Sequence, residues 1–295
     1  MFIYNIRRVE NAKVQTGKRR TYMKRLIPIL LTCALALGLA GCGDFAPDPT
    51  EAVSQAADYS FDRSNFPTIA GGAAQEPLAE AIAAIMLGET RQQASDFLLF
   101  GSTGEAWAAL DSGEAGLVLA TEPDELPDGL ETAPVYKDAL VFYVGAGSAV
   151  DDITTAQLKS IISGGTKSWT GMGGSGDIVV IGRPEGSGSL AALRRLIGAD
   201  ELAVSEGSSA LTSSEVLGYG FYNEAVLMGM ADGYKILSVD GVMPTAETIT
   251  SGEYPLCVDV LAGISASAAE DSPERALWLW LQGGVGQAFI SSQGY

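Results

Sequence analysis

Residues 178–190, Ile-Val-Val-Ile-Gly-Arg-Pro-Glu-Gly-Ser-Gly-Ser-Leu, decide how this chain is read. Four apolar residues, Ile178 to Ile181, have the form of a short buried strand. Beyond the turn, Leu190, Leu193, Leu196 and Ile197 recur at helical spacing up to Gly198, where a glycine stops a helix well. The turn therefore lies on a helix N-terminus, whose first backbone N–H groups lack partners and attract an anion. Gly186 and Gly188 let the backbone approach a ligand closely, and Ser187 and Ser189 add hydroxyl donors. Arg183 offers a planar fork matched to a tetrahedral oxyanion. A plainer role, with Ser187 as an ordinary cap and Arg183 as a solvated charge, stays open on these seven residues alone.

Outward from this stretch, helical and strand patterns alternate. Pro77-Leu78 opens an amphipathic helix through Ile82, Ile85 and Met86 to Gly88, with proline and glycine at the ends that favour them. Glu105 to Leu110 reads as another helix, while Gly116–Ala120 and Ala139–Val144 read as buried strands. Thr154 and Gln157 have capping-box spacing before a helix through Leu158, Ile161 and Ile162. Tyr234–Val239 and Leu256–Ile264 are later strands, and Ser272-Pro273-Glu274 begins a helix through Leu277, Trp280 and Leu281. This alternation predicts an α/β architecture with largely parallel sheets.

The 295 residues carry a net charge of −18 and no histidine. Without histidine, Ser-His-Asp and Cys-His catalysis are excluded and the commonest transition-metal ligand is missing. No catalytic group, metal site or cofactor is expected. Met23-Lys24-Arg25, the apolar run Leu26–Leu37 and Leu39-Ala40-Gly41-Cys42 form a charged, an apolar and a small-residue region in order. The apolar run is shorter than the roughly 20 residues that a membrane span needs. It resembles a bacterial lipoprotein signal, which implies cleavage before Cys42, lipid on its thiol and an extracytoplasmic chain held at the membrane. Residues 42–295 then keep ten basic against 35 acidic residues, a net charge of −25. Nucleic acid is an unsuitable partner for such a chain. Any anion site must work by short-range donors in a cleft screened from distant carboxylates. Residues 1–41 are thus extension and signal, and 42–65, rich in Ala, Asp, Pro and Ser, a flexible tether. Cys257 remains as a lone thiol, expected in the core.

The order of segments resembles the phosphate-binding lipoproteins of ABC importers. The residues that carry the likeness are Phe66-Pro67-Thr68-Ile69, Pro134 to Phe142, Ile153 to Leu158, Trp169 before Gly173-Gly174, and the Arg183 heptad. Gly218 to Tyr222, Ser238 to Thr245, Tyr254-Pro255-Leu256 and Gly286 to Ile290 extend it, so that it covers nearly all of 66–295. The resemblance implies a type II periplasmic-binding-protein fold: two α/β lobes joined by a hinge, with ligand in the cleft. One lobe would comprise 66–143 and 236–295, and the other 144–235. It also implies a monomer that captures inorganic phosphate or a related oxyanion and delivers it to an ABC permease, with no chemical step.

Carried over residue by residue, the second lobe's grip falls on Arg183, Ser187, Gly188 and Ser189. In the first lobe, Ser102-Thr103-Gly104 keeps the family's later hydroxyl position, with Thr103 the leading candidate. The family's earlier hydroxyl loop is here Ala70-Gly71-Gly72-Ala73-Ala74, which has lost its hydroxyls; Gly71 and Gly72 would contact the anion through backbone N–H. That departure also fits a pocket reshaped for a phosphonate or an organic phosphate, or a sensor that no longer transports. Trp107, Trp278 and Trp280 sit on apolar helical patterns and are expected in the core, as is Trp169. Asp138 is expected as a structural polar partner, and Glu185 stands close enough to the turn to disfavour a dianion.

Overall fold

The computed structural model describes residues 59–198, 202–203, 216–229 and 233–295. The signal stretch, Cys42 and residues 42–58 of the expected tether lie outside the described residues. Residues 59–65, within the expected tether, make contacts of their own. Phe61 stacks against Tyr59 and edge-on to Phe66, and Arg63 pairs with Glu89 and Asp96, both at 2.6 Å.

Among the described residues, ten strands run in chain order: β1 Ile69–Gly72, β2 Leu98–Gly101, β3 Leu117–Thr121, β4 Leu130–Gly145, β5 Asp152–Ile153, β6 Val179–Val180, β7 Val216–Phe221, β8 Tyr234–Ile236, β9 Ser238–Val239 and β10 Cys257–Ser265. The principal helices are α1 Glu76–Leu87, α2 Arg91–Ala94, α3 Thr103–Asp111, α4 Thr155–Ile162, α5 Gly188–Ile197, α6 Ala246–Thr250, α7 Pro273–Gln282 and α8 Gly284–Ser292. Local chemistry explains most of their ends. Pro77 opens α1, and Gly88 closes it at φ +64°, a conformation that costs glycine nothing. Complete capping boxes start α3 (Ser102, Glu105), α4 (Thr154, Gln157) and α6 (Thr245, Thr248).

The main sheet runs β2-β1-β3-β10-β4-β7-β6, with β8 also on β4. β4 is the structural spine. Its residues 130–139 pair antiparallel with β10, and residues 140–145 with β7 and β8. Each half of the sheet packs its own core. Leu140, Val144, Leu158, Leu193 and Tyr219 lie in one; Ile69, Leu78, Leu117, Val260, Leu277 and Trp278 lie in the other. Burying such side chains contributes roughly 1.5–3 kcal/mol each, which makes these two clusters the main source of stability.

The architecture is α/β as expected, but the sheet is mixed rather than largely parallel. β10 is antiparallel to β3 and to β4, and β4 to β7 and β8. Apolar periodicity identifies a strand without encoding its direction, and β4 and β10 are the two long strands that run against their neighbours. The expected strand at 234–239 breaks at Leu237, and its halves join different partners, β4 and β5. Cys257 is only half-buried, with its thiol donating to the Tyr254 carbonyl at 3.1 Å, so it is not a core residue. Trp107, Trp169, Trp278 and Trp280 are all buried.

Candidate functional site

Parallel pairing makes the carboxyl ends of β1, β2 and β3 point one way. β6 and β7 are likewise parallel. Open α/β sheets present loops and helix N-termini at those ends. Here the ends of four of these strands, β1, β2, β6 and β7, meet at one cleft, a cavity of about 80 Å³. Gly72 ends β1 and Ala73 follows it, Ser102 and Thr103 follow β2, Arg183 follows β6, and Phe221 ends β7 with Glu224 just beyond.

From the sequence-predicted set, Arg183, Ser187, Gly188, Ser189, Ser102, Thr103 and Gly72 line this cleft. Gly71 does not. It lies inside β1, where a Cβ would meet Phe100 of β2 and the Leu119 carbonyl of β3, so its smallness serves strand packing.

Several of the hydroxyls are already engaged. Ser187 is the N-cap of α5, accepting the Leu190 N–H at 3.3 Å, so the capping role coexists with its place on the cleft. Ser102 accepts the Glu105 N–H, and the Glu105 carboxylate takes the Ser102 N–H at 2.8 Å and hydroxyl at 2.9 Å. Those two bonds, the backbone one first, hold the Glu105 carboxyl below its ordinary range. Thr103 is buried, lines the cleft and has its hydroxyl beside Gly188.

Arg183 is held from two edges. Its Nε donates to Ser189 Oγ at 3.2 Å, and its Nη2 to both oxygens of Glu224, at 3.0 and 3.1 Å. The fork is thereby oriented across the N-terminus of α5, whose first amides carry partial positive charge. Glu224 was not singled out in the sequence. It follows β7 in a π-helical turn, Asn223–Leu227, an element often found at functional sites. Glu185 faces elsewhere: it pairs with Arg194 at 2.8 Å and is exposed, so it does not charge the cleft.

Thr121 is a second residue that sequence reasoning missed. It ends β3, and the Trp107 indole N–H donates to its carbonyl at 2.9 Å, which fixes it in place. Its hydroxyl is fully buried without a hydrogen-bond partner among the described residues. A Cβ on Gly188 would collide with this hydroxyl, with that of Thr103, and with Phe221. Both threonine hydroxyls thus abut the N-terminus of α5 from across the cleft. The two sides also touch directly, with the Gly104 N–H donating to the Gly186 carbonyl at 2.9 Å. Gly186 reaches that position at φ +78°.

Behind the cleft, β4 changes partner beside Asp138. This carboxyl is buried, and one oxygen accepts the N–H of Ala139 at 2.7 Å and of Asn223 at 3.2 Å; the other has no partner. Burial pushes it up to about 7, against the pull of its backbone donors, and the charge of Glu224 adds to the rise. Asp138 is the structural partner expected of it, and it does not line the cleft.

With this geometry in view, similarity to known proteins is informative. A family model for the PBP superfamily domain matches residues 67–264. The chain belongs to the PBP superfamily. It is 28% identical over 246 residues to the phosphate-binding protein PstS of Bacillus subtilis (strain 168), covering 79% of this chain and 80% of the relative. It is 22% identical over 193 residues to the PstS of Borreliella burgdorferi, covering 58% and 67%. Among solved structures, it resembles a putative phosphate ABC transporter substrate-binding protein with bound phosphate from Clostridium perfringens (TM-score 0.61, 20% identity, 78% of this chain and 98% of that one). It also resembles an ABC-type phosphate transport receptor from Vibrio cholerae (TM-score 0.58, 19% identity, 77% and 97%). These relatives are binding proteins, not enzymes, and the shared fold is that of periplasmic binding proteins.

Proposed function

We propose that this chain is an extracytoplasmic solute receptor that holds a tetrahedral phosphorus oxyanion, with inorganic phosphate its simplest form, in the cleft and delivers it to an ABC permease. The convergence of Arg183, the α5 N-terminus and Thr103 at the carboxyl ends of parallel strands carries this reading. Arg183 and the amides of Gly188 and Ser189 grip the anion from one side. Thr103 and the backbone at Gly72 meet it from the other, and the buried Thr121 hydroxyl, beside Gly188, is a further donor that a bound anion would engage. Bonds to both walls favour the closed form, and release follows hinge opening about β4. On this reading the lobes divide within β4, where Leu140 already packs with Leu158 and Leu193, and lipid on Cys42 keeps the receptor at the membrane.

Calorimetric titration of phosphate, with sulfate as control, into the purified full chain tests the binding role after unfolding and refolding to strip bound ligand. Saturable heat with phosphate supports it; no heat with any phosphorus oxyanion refutes it. Palmitate labelling lost in Cys42→Ser tests the anchor, and labelling that persists there excludes it.

A further inference from the structure

Among the described residues, the charged side chains on the cleft wall are two of opposite sign, Arg183 and Glu224. Among the described residues, the basic groups nearby are committed elsewhere: Arg194 to Glu185 and Asp124, and Arg195 to Glu122. Glu224 is well buried, with 14% of its side chain exposed, and its basic partner is Arg183. An oxyanion that takes the Arg183 fork therefore comes to lie beside a carboxylate, and two anionic groups share one guanidinium. For an oxyanion with neither a proton nor a cation to offer the carboxylate this is repulsive. For a ligand that brings its own cation, the same carboxylate becomes a binding group.

Two further features fit the second case. Next to the ion pair lies another cavity, about 20 Å³, lined by Tyr143, Gly220, Ala225 and the pair itself. That is room for one water-sized group, such as an ammonium. The wall at Ala73 and Ala74 presents methyl groups instead of hydroxyls, which suits carbon better than a fourth hydrogen-bonding oxygen.

Resting on the oxyanion reading above, we propose that Glu224 makes this cleft select a phosphorus oxyanion that carries an amine, such as an aminoalkyl phosphonate or an amine-bearing phosphate monoester. The oxyanion lies against Arg183 and the α5 N-terminus, and the ammonium against the Glu224 carboxylate. Glu224 is then the specificity-determining residue of the site.

The test compares 2-aminoethylphosphonate, ethylphosphonate and phosphoethanolamine by calorimetry on the full chain, in wild type, Glu224→Gln and Arg183→Ala. A charge-assisted contact to the amine predicts about tenfold or tighter binding of 2-aminoethylphosphonate over ethylphosphonate. Glu224→Gln should collapse that ratio towards one by lowering 2-aminoethylphosphonate affinity about tenfold more than ethylphosphonate affinity, a selective change that mere loss of structure does not produce. The phosphoethanolamine arm separates the two sources, since a monoester site binds it at least as tightly as the phosphonate. Equal affinities for the amine-bearing and plain phosphonates in wild type, or a preference that survives in Glu224→Gln, overturn the role of Glu224 and leave the oxyanion site standing. Failure of wild type to bind any of these ligands or phosphate overturns both.

Discussion

Replacing Thr121 with valine should push stability and binding in opposite directions. The Thr121 hydroxyl is buried and unpaired, and leaving such a group without a partner costs about 1–3 kcal/mol. Valine keeps the shape and removes the polar atom, so the unliganded protein should gain about 1–2 kcal/mol. For a domain of this size that corresponds to a rise in Tm of roughly 2–8 °C. If the hydroxyl donates to a bound anion, its loss removes about 1.5–3 kcal/mol of binding, a weakening of about 10- to 150-fold. Urea denaturation of the unliganded chain and phosphate titration, run on both proteins, read the two effects separately. A stability that falls or stays level, together with unchanged affinity, refutes the assignment of Thr121 to the anion. A stability gain with unchanged affinity leaves only an unsatisfied core hydroxyl.

The remaining predictions concern the hinge and the contact between the cleft walls. Asp138 holds its proton up to about pH 7, against an ordinary value of 3.8, so the folded state binds that proton more tightly than the unfolded chain does. Its contribution to stability is complete below about pH 4 and is lost as pH rises through 7, a loss on the order of 4 kcal/mol. Asp138→Asn should flatten the denaturation profile over that window, and parallel profiles for the two proteins would contradict it. Gly188→Ala puts a methyl group against the hydroxyls of Thr103 and Thr121 and the Phe221 ring, so it should abolish ligand binding and enlarge the radius of gyration in small-angle scattering. Wild-type affinity in that variant rules out the close approach of α5 to Thr103 and Thr121.

Much of the frame is written locally in the sequence. The boxes at Ser102 and Thr154, Pro77 and Gly88 around α1, and the glycine-serine turn before α5 each act within a few residues, and the elements start or stop there. Strand direction is not local. The 16-residue β4 shows only its apolar half, Ala139–Val144, because its first half is partly exposed and contains Pro134. The site divides in the same way. Arg183 and its heptad stand together in the chain, whereas Glu224 reaches the cleft, and Thr121 the N-terminus of α5, only through pairing of distant strands. A terminal threonine on a buried strand carries no sequence signal of its own, and an acid after a glycine-rich strand resembles any solvated charge. A partial signal existed for Thr121: it directly follows Gly116–Ala120, read as a buried strand, and parallel strands present their carboxyl ends to ligands.

The central claim is that an oxyanion is held in this cleft by Arg183. Its most direct test is calorimetric titration of phosphate into wild type and Arg183→Ala, each stripped by unfolding and refolding, with thermal melting as a check on folding. Arg183 lines a cleft and is partly exposed, so the variant should melt near wild type. Binding should be present in wild type and weaker by about 100-fold or more in the variant, since the guanidinium supplies charge and more than one hydrogen bond. Equal affinity in the two proteins would contradict the account.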